Sequence, residues 1–330
     1  MLGPSPRQAG SSVMRLCRRE LLTTKHWTET LARRDVGATC QAFRRSRREP
    51  YGGDPVSVSI NEIPEAAAAA SRKLRDAFQA ILGDGPVGMW LHGGTTFPDR
   101  PRQPGDLDIC VAVDGITIAE RDPGVWATQP ESRPYRIVTA TQELALAEGV
   151  SFDVMCLPAP AVGRAKVPTL AYVGGRRLNG WAVYRAHWSA GQYVRLYGKT
   201  PEQLGVVPPT TGELMTDLDR ELEHLERHVY EGDADIPYEA TYAIWNGCRI
   251  LHTLETGNAA LSKRSAGAWG IQHFPERWHP AIRAAGRSYD GEATREDNEV
   301  LRVDMGPFVE MVRERLPVTE PRPPGPPRWS

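Results

Sequence analysis

Two aspartates separated by one residue carry the strongest chemical signal in this 330-residue chain. Asp106 and Asp108 alternate with Leu107 and Ile109. On a strand, residues i and i+2 face the same side, so the spacing predicts two carboxylates on one face and apolar side chains on the other. Two ionised carboxylates side by side repel each other, and a divalent cation removes that cost. Because hard oxygen ligands suit Mg²⁺, the pair indicates a magnesium site.

A third acid fits the same chemistry. Asp153 interrupts an otherwise apolar stretch, residues 150–157. We expect a strand here with Asp153 inside it, and an isolated buried carboxylate is costly unless it shares a cation or acts as a base. A positioned general base typically accelerates a reaction by about 10² to 10⁴. The candidate catalytic and metal-binding residues are therefore Asp106, Asp108 and Asp153.

A pair of glycines, Gly93 and Gly94, directly follows the apolar stretch 87–92. Because glycine has no Cβ, backbone N–H groups in such a turn can approach a polyphosphate closely. A Gly-Gly pair alone is typical of an ordinary tight turn. The acid pair downstream favours the phosphate-binding interpretation, because phosphoryl and nucleotidyl transfer depend mainly on positioning and electrostatics.

The elements that must position these residues follow two patterns. From about residue 55 to 205, the sequence pattern predicts a helix over residues 64–82 and strands over residues 87–92, 107–113 and 150–157. From residue 209 to 316, Leu, Met and Trp recur at helical spacing with almost no strand signal. The order predicts an α+β fold, in which a mixed β-sheet domain with helices precedes an α-helical bundle.

The predicted domains are residues 55–208 and 209–316, each long enough for a core of its own. Residues 1–54 are rich in arginine, which indicates a poorly ordered basic extension or, alternatively, an arm that touches nucleic acid or a membrane. Residues 317–330 are dense in proline and predict a disordered tail.

Composition excludes several classes of function. The formal net charge of −1 argues against a nucleic-acid coat protein. Five cysteines are scattered without a C-x-x-C pair, which is typical of reduced cysteines in the cytosol. No apolar run reaches the ~18 residues of a membrane span. We therefore expect a cytoplasmic protein whose partners are neither nucleic acid nor membrane.

Three segments resemble the motif set of the nucleotidyltransferase superfamily: His92-Gly93-Gly94, Asp106-Leu107-Asp108 and Phe152-Asp153-Val154. The helical half is similar to that of the aminoglycoside 3''/9-adenylyltransferases. The segments that carry this second likeness are residues 194–204, 246–257, 261–269 and 275–282, so the resemblance covers about residues 85–316.

The resemblance implies an enzyme that uses Mg²⁺ and transfers AMP from ATP to a hydroxyl of a small cationic acceptor, releasing pyrophosphate. The acceptor would be an aminoglycoside-type antibiotic of the streptomycin and spectinomycin class. The residues implied in ATP binding are Gly93, Gly94, Thr95, Arg249 and Lys263. The residues implied in acceptor binding are Tyr230, Asp235 and Glu239, whose acids would attract a polycation.

The chain departs from the family at the glycine pair, where Gly94 stands in place of the usual Ser. Thr95 or Thr96 would then supply the missing hydroxyl, and Pro98 predicts a non-helical loop after the turn. Two alternatives stay open. One is a nucleotidyltransferase that acts on a different small-molecule or protein hydroxyl, and the other is a binding module that kept the fold without the chemistry.

Overall fold

The computed structural model describes residues 57–100, 106–115, 131, 133–163, 181–231 and 236–316. A sheet with helices comes first along the chain, and helices alone follow it. The α+β fold class predicted from the sequence is therefore confirmed. The predicted extension (1–54) and tail (317–330) lie outside the described residues, and the boundary between residues 208 and 209 stays a prediction.

The sheet has four strands in the order β3-β2-β1-β4. Strands β1 and β2 are antiparallel, β2 and β3 are parallel, and β4 pairs antiparallel with β1. A helix lies between β2 and β3 in sequence, as a parallel connection requires. The strands are β1 (Pro86–His92), β2 (Leu107–Val113), β3 (Phe152–Pro158) and β4 (Val194–Gly198).

Two details of the sheet differ from the sequence predictions. Strand β3 begins at Phe152, two residues later than expected. The fourth strand occupies a segment that sequence patterns indicated only as part of the connection between domains. Strand β4 is short and lies at the sheet edge, where Arg195 and Tyr197 face solvent, so its apolar signal is weak.

The described helices comprise three in the sheet domain and five after it. In chain order they are α1 (Glu65–Leu82), α2 (Arg133–Glu148), α3 (Trp181–Ser189), α4 (Thr211–Glu231), α5 (Ile236–Thr256), α6 (Lys263–His273), α7 (His279–Tyr289) and α8 (Arg295–Arg315). None of them is long and apolar enough to cross a membrane.

Both faces of the sheet are covered by helices. Met89 and Leu91 of β1 point into a core shared with α1 and α2, while Trp90 points into an aromatic core shared with α3. This alternation follows from the two-residue period of a strand. Burial on both faces explains why the strands read as continuous apolar runs, and it leaves their ends as the place for polar side chains.

Helix α5 lies at the centre of the second part and packs against α4, α6, α7 and α8. The predicted helical spacing is confirmed, because most of the apolar residues that define it are buried in the core between these helices: Leu218, Leu222 and Leu225 of α4, with Ile244, Cys248 and Leu251 of α5. Leu214, at the start of α4, is buried in a separate cluster with Ala182 of α3 and Ala259. The described cysteines, Cys110, Cys156 and Cys248, are buried free thiols, as predicted.

An ion pair between a buried arginine and a half-buried glutamate joins α3 to the first turn of α4. Arg185 of α3 is only 1% exposed, and its guanidinium donates to both carboxylate oxygens of Glu213 at 2.8 and 3.1 Å. Glu213 also accepts from the backbone N–H of Thr210, whose hydroxyl accepts from the Glu213 N–H, as in a capping box. The hydrogen bonds from Arg185 lower the pKa of Glu213 to about 2.

Removing this carboxylate is expected to destabilise the fold. Glu213→Gln leaves a buried guanidinium without its counter-charge, so we expect a loss of about 3 kcal/mol of unfolding free energy at pH 7, measured by urea denaturation. Since the folded pKa of Glu213 lies below its unfolded value, its contribution is complete above about pH 4.5 and disappears as the pH falls toward 2. The difference between wild type and variant should therefore shrink across that range.

Glu299→Gln is the matched control, because Glu299 pairs with Arg302 on the exposed surface of α8. We expect no measurable change in its unfolding free energy. Equal stability of Glu213→Gln and wild type at pH 7 would contradict this account of the ion pair.

Candidate active site

Three strand ends meet at one edge of the sheet. His92, the last residue of β1, is in register with Asp108 near the start of β2, and Asp108 is in register with Asp153 near the start of β3. The direction of each strand places the end of β1 beside the starts of β2 and β3. The glycine turn (Gly93–Thr96) and Asp106 immediately adjoin this edge.

The glycine turn packs directly against Asp108. Gly93 has a φ of +72°, and a Cβ built on it would lie 1.8 Å from Asp108 Oδ2. Position 93 therefore requires glycine for both conformation and space. At Gly94 the nearest atom to such a Cβ is Tyr289 Oη at 3.9 Å, so a side chain fits there. The hydroxyl of Thr96 donates to the Gly93 carbonyl at 2.9 Å, whereas Thr95 lines the adjoining cleft.

Burial raises the pKa of Asp108 to about 7, and the neighbouring charge of Asp153 adds to that rise. The cations Lys263 and Arg249 act in the opposite direction. Asp153 lies on β3, as predicted, but it is exposed at the second position of the strand, so the expectation that it would be buried is wrong. The strand begins later than predicted, and this places Asp153 at the sheet edge instead of among apolar side chains.

The helical part supplies two cations to the opposite side. Arg249 lies on α5 and Lys263 is the first residue of α6. Burial lowers the pKa of Lys263 to about 8, with a further contribution from Arg249. Among the described residues, no carboxylate lies within ion-pair distance of either cation. Each therefore keeps hydrogen-bonding capacity toward the space between the two parts.

A buried histidine lies beside Arg249. The Nε2 atom of His187 lies 3.0 Å from the Ala259 carbonyl and 3.3 Å from Arg249 Nη2. A ring nitrogen that donates to the Ala259 carbonyl cannot also accept from Arg249, so the hydrogen bond that orients the guanidinium is the one from Nη1 to Asn246 Oδ1 at 3.3 Å. Burial, together with the charge of Arg249, lowers the pKa of His187 to about 3. Both of these neighbours are uncharged, and they leave the positive charge of Arg249 uncompensated.

These side chains line one cleft of about 470 Å³. It brings together Asp106, Asp108, Asp153, Gly93, Gly94, Thr95, Arg249 and Lys263, all of which were candidates from the sequence. Carboxylates and a glycine turn form one wall, and two cations form the other. This arrangement suits a ligand that carries several negative charges together with a divalent cation.

Of the three predicted acceptor residues, the structure describes the side chain of Glu239. Asp235 and the side chain of Tyr230 lie outside the described residues. Glu239 is in the first turn of α5 and does not line the cleft. Helices α4 and α5 contribute four acidic and aromatic side chains to the cleft that the sequence analysis missed: Asp217, Glu221, Tyr238 and Tyr242.

The missed residues had a recognisable signal. Asp217 and Glu221 are four residues apart on α4, and Tyr238 and Tyr242 are four apart on α5, so each pair shares a helix face. The hydroxyl of Tyr242 donates to Glu221 Oε1 at 2.9 Å, and Lys263 Nζ lies 4.7 Å from the centre of the Tyr242 ring. An acidic and aromatic surface therefore continues from the two cations.

The donor set fits Mg²⁺ in chemistry. Within the described ranges, no three His, Cys, Asp or Glu side chains are grouped as a complete set of metal ligands. Mg²⁺ commonly uses one or two carboxylates and takes its remaining ligands from substrate phosphates and water. Asp108 and Asp153, in register on parallel strands, match that requirement, because a cation would also relieve their mutual repulsion.

Comparisons with known proteins agree with this architecture. Residues 218–314 match the family model described as "Aminoglycoside adenylyltransferase, C-terminal domain". No curated protein sequence matches the chain. A crystal structure of spectinomycin adenyltransferase AAD(9) from Enterococcus faecialis, with ATP and spectinomycin, aligns with a TM-score of 0.53 and 15% sequence identity, covering 74% of this chain and 98% of that one.

The fold, a four-stranded sheet with helices followed by helices alone, is therefore similar to that of this solved structure. The chain resembles the aminoglycoside adenylyltransferases, and the resemblance stated from its sequence is confirmed.

The glycine turn gives a matched pair of variants. Gly93→Ala forces a left-handed backbone on alanine and displaces the Asp108 carboxylate, so we expect a loss of at least about 1 kcal/mol in unfolding free energy. Gly94→Ser places its side chain in open space, and we expect a change within about 0.5 kcal/mol. Urea denaturation of both variants checks this, and equal stabilities would show that position 93 does not need glycine.

Proposed function

We propose that this protein transfers AMP from Mg²⁺-bound ATP to a hydroxyl of a small cationic acceptor of the aminoglycoside class. The observation that carries the proposal is the opposition, across one cleft, of three aspartates on the sheet edge and two cations on the helical part. A nucleoside triphosphate with its metal ion satisfies both walls at once. The family match of residues 218–314 supports the same reaction class.

The phosphates would lie between the glycine turn and the helical cations. The close packing of Gly93 on Asp108 leaves this part of the cleft wall without a side chain, so backbone N–H groups can approach phosphate oxygens. Thr95 stands at the same wall and would offer the hydroxyl that Gly94 lacks. Arg249 and Lys263 would bind phosphate oxygens from the opposite side, where neither has a carboxylate partner among the described residues.

The transfer step needs a proton acceptor and charge stabilisation. The acceptor hydroxyl oxygen would form a bond to the α-phosphorus of ATP, the bond from that phosphorus to the bridging oxygen would break, and pyrophosphate would leave. Asp153, which is exposed and lines the cleft, would take the hydroxyl proton. Asp106, Asp108 and Asp153 would hold Mg²⁺, which supplies electrostatic stabilisation of the reacting phosphate oxygens when it is bound.

The acceptor would occupy the acidic and aromatic end of the cleft. Glu221 presents a carboxylate there, and Tyr238 and Tyr242 present aromatic rings, of which Tyr238 is 59% exposed. A carboxylate attracts an ammonium group, and aromatic faces pack against sugar rings and favour nearby cations. They favour a cationic amino sugar over a neutral or anionic acceptor. Tyr230 and Asp235 stay predicted acceptor residues beside them.

The proposal predicts a defined reaction. With Mg-ATP and a panel that includes streptomycin and spectinomycin, the purified protein should release pyrophosphate and add the mass of one AMP to at least one drug, measured by mass spectrometry. Absence of any mass shift across the aminoglycosides, with adenylylation of another hydroxyl compound or protein, would contradict the acceptor assignment. Absence of transfer to any acceptor would contradict the enzymatic proposal.

Two aspartates, one on β2 and one just beyond its end, provide a variant and its control. Asp108→Asn should reduce transfer by at least about 10²-fold, because it removes a charge directed at the reacting phosphate and its metal ion. It should leave the unfolding midpoint unchanged or higher, since it also removes a buried, repelled carboxylate. Asp114→Asn, exposed just beyond the far end of β2, should retain wild-type transfer. Full activity of Asp108→Asn would show that the wrong carboxylate had been assigned.

A further inference from the structure

A loop residue outside the proposed chemistry connects the two walls of the cleft. Asp99 follows the glycine turn by three residues and belongs to the sheet domain. Its Oδ2 atom accepts hydrogen bonds from the hydroxyls of Ser262 at 2.5 Å and Ser265 at 2.6 Å. Its backbone carbonyl accepts from Arg264 Nε at 3.0 Å. A single residue thus bonds to three side chains at the beginning of α6.

The three partners of Asp99 are residues 262, 264 and 265, which flank Lys263 in the sequence. Ser262 is the N-cap of α6, and its Oγ accepts from the backbone N–H of Ser265 at 2.9 Å. Asp99 therefore completes, from another domain, the cap of the helix whose first residue is Lys263. A carboxylate is also favoured at a helix N-terminus by the helix dipole. Arg264 is held on its other side by both carboxylate oxygens of Asp290.

We infer that Asp99 is a positioning residue, which fixes Lys263 relative to the glycine turn. The inference rests on the proposed function, because it assigns to Lys263 a ligand with phosphate groups. A lysine side chain is long and flexible, so the position of its backbone decides whether the ammonium reaches the phosphates. Asp99 accepts hydrogen bonds from residues on both sides of Lys263 in sequence, and these bonds hold the Lys263 backbone in place. The loop from Gly93 to Asp99 then sets the distance between Lys263 and the glycine turn.

Two features of the hydrogen bonds at Asp99 indicate that they hold two parts of the chain together and are not there mainly for stability. Asp99 and Ser262 are separated by 163 positions in sequence, so the bond joins the sheet domain to the helical part. Asp99 Oδ1 is buried and, within the described part of the chain, has no hydrogen-bond partner. An unpartnered buried carboxylate oxygen carries a desolvation cost, which offsets part of the stability that the link provides.

The first experiment tests the link without any ligand. In Asp99→Ala, amide hydrogen exchange should increase at least tenfold at Ser265 and Ala266, whose N–H groups bond to Ser262. Asp297→Ala is the control, since Asp297 accepts comparable bonds at the start of α8 without joining the two domains. It should increase exchange at the start of α8 and leave α6 unchanged. Unchanged exchange at α6 in Asp99→Ala would overturn the inference.

The second experiment tests the action of the link on Lys263. Asp99→Ala should weaken binding of Mg²⁺ with a non-hydrolysable ATP analogue at least tenfold, whereas Asp99→Asn should stay within threefold because its amide oxygen still accepts from both serines. The double variant Ser262→Ala with Ser265→Ala should reproduce the loss from the other side, and it replaces Asp99→Ala if that variant does not fold. Asp297→Ala should bind the analogue as wild type does.

A double-mutant cycle separates positioning from a merely structural role. If Asp99 acts through Lys263, Lys263→Ala should weaken analogue binding strongly in the wild-type background and by less than threefold in the Asp99→Ala background. Equal effects in both backgrounds, or equal losses in Asp99→Ala and Asp99→Asn, would overturn the inference. Failure of the wild type to bind the analogue would contradict the proposed function, while the exchange experiment would still decide whether the link exists.

Discussion

Carboxylates that repel one another are held side by side at the sheet edge, and this constraint explains much of the structure around the cleft. Asp108 and Asp153 are in register on parallel strands, and burial keeps water from screening Asp108 fully. On the opposite wall, the positive charges of Arg249 and Lys263 repel each other, which lowers the pKa of Lys263. A ligand that brings both negative phosphates and a divalent cation would relieve both repulsions.

The rest of the fold supports this costly arrangement. Helices cover both faces of the sheet, and Gly93 allows the turn to lie against Asp108. The ion pair of Arg185 with Glu213 and the hydrogen bonds that Asp99 accepts join the sheet part to the helical part at two separate places. The opposing charges lie on elements far apart in sequence, and these contacts help to set the distance between those elements.

Local patterns in the sequence predicted the sheet edge but not its surroundings. The spacing of Asp106 and Asp108, and the position of Gly93 after an apolar run, are local signals that follow from strand geometry. The exposure of Asp153 was mispredicted because β3 begins two residues later than its apolar pattern indicated. Strand β4 was not recognised because it has only five residues, of which Arg195 and Tyr197 face solvent. The bond from Asp99 to Ser262 joins residues far apart in sequence, and no local pattern indicates such a contact.

The most direct test of the central claim is calorimetric titration of the full chain with a non-hydrolysable ATP analogue, with and without Mg²⁺, alongside Lys263→Ala. Because the cleft opposes carboxylates to cations, binding should be strong only with Mg²⁺, and it should weaken at least about tenfold in the variant. Binding that is equally strong without Mg²⁺ and in Lys263→Ala, or no binding at all, would contradict the account.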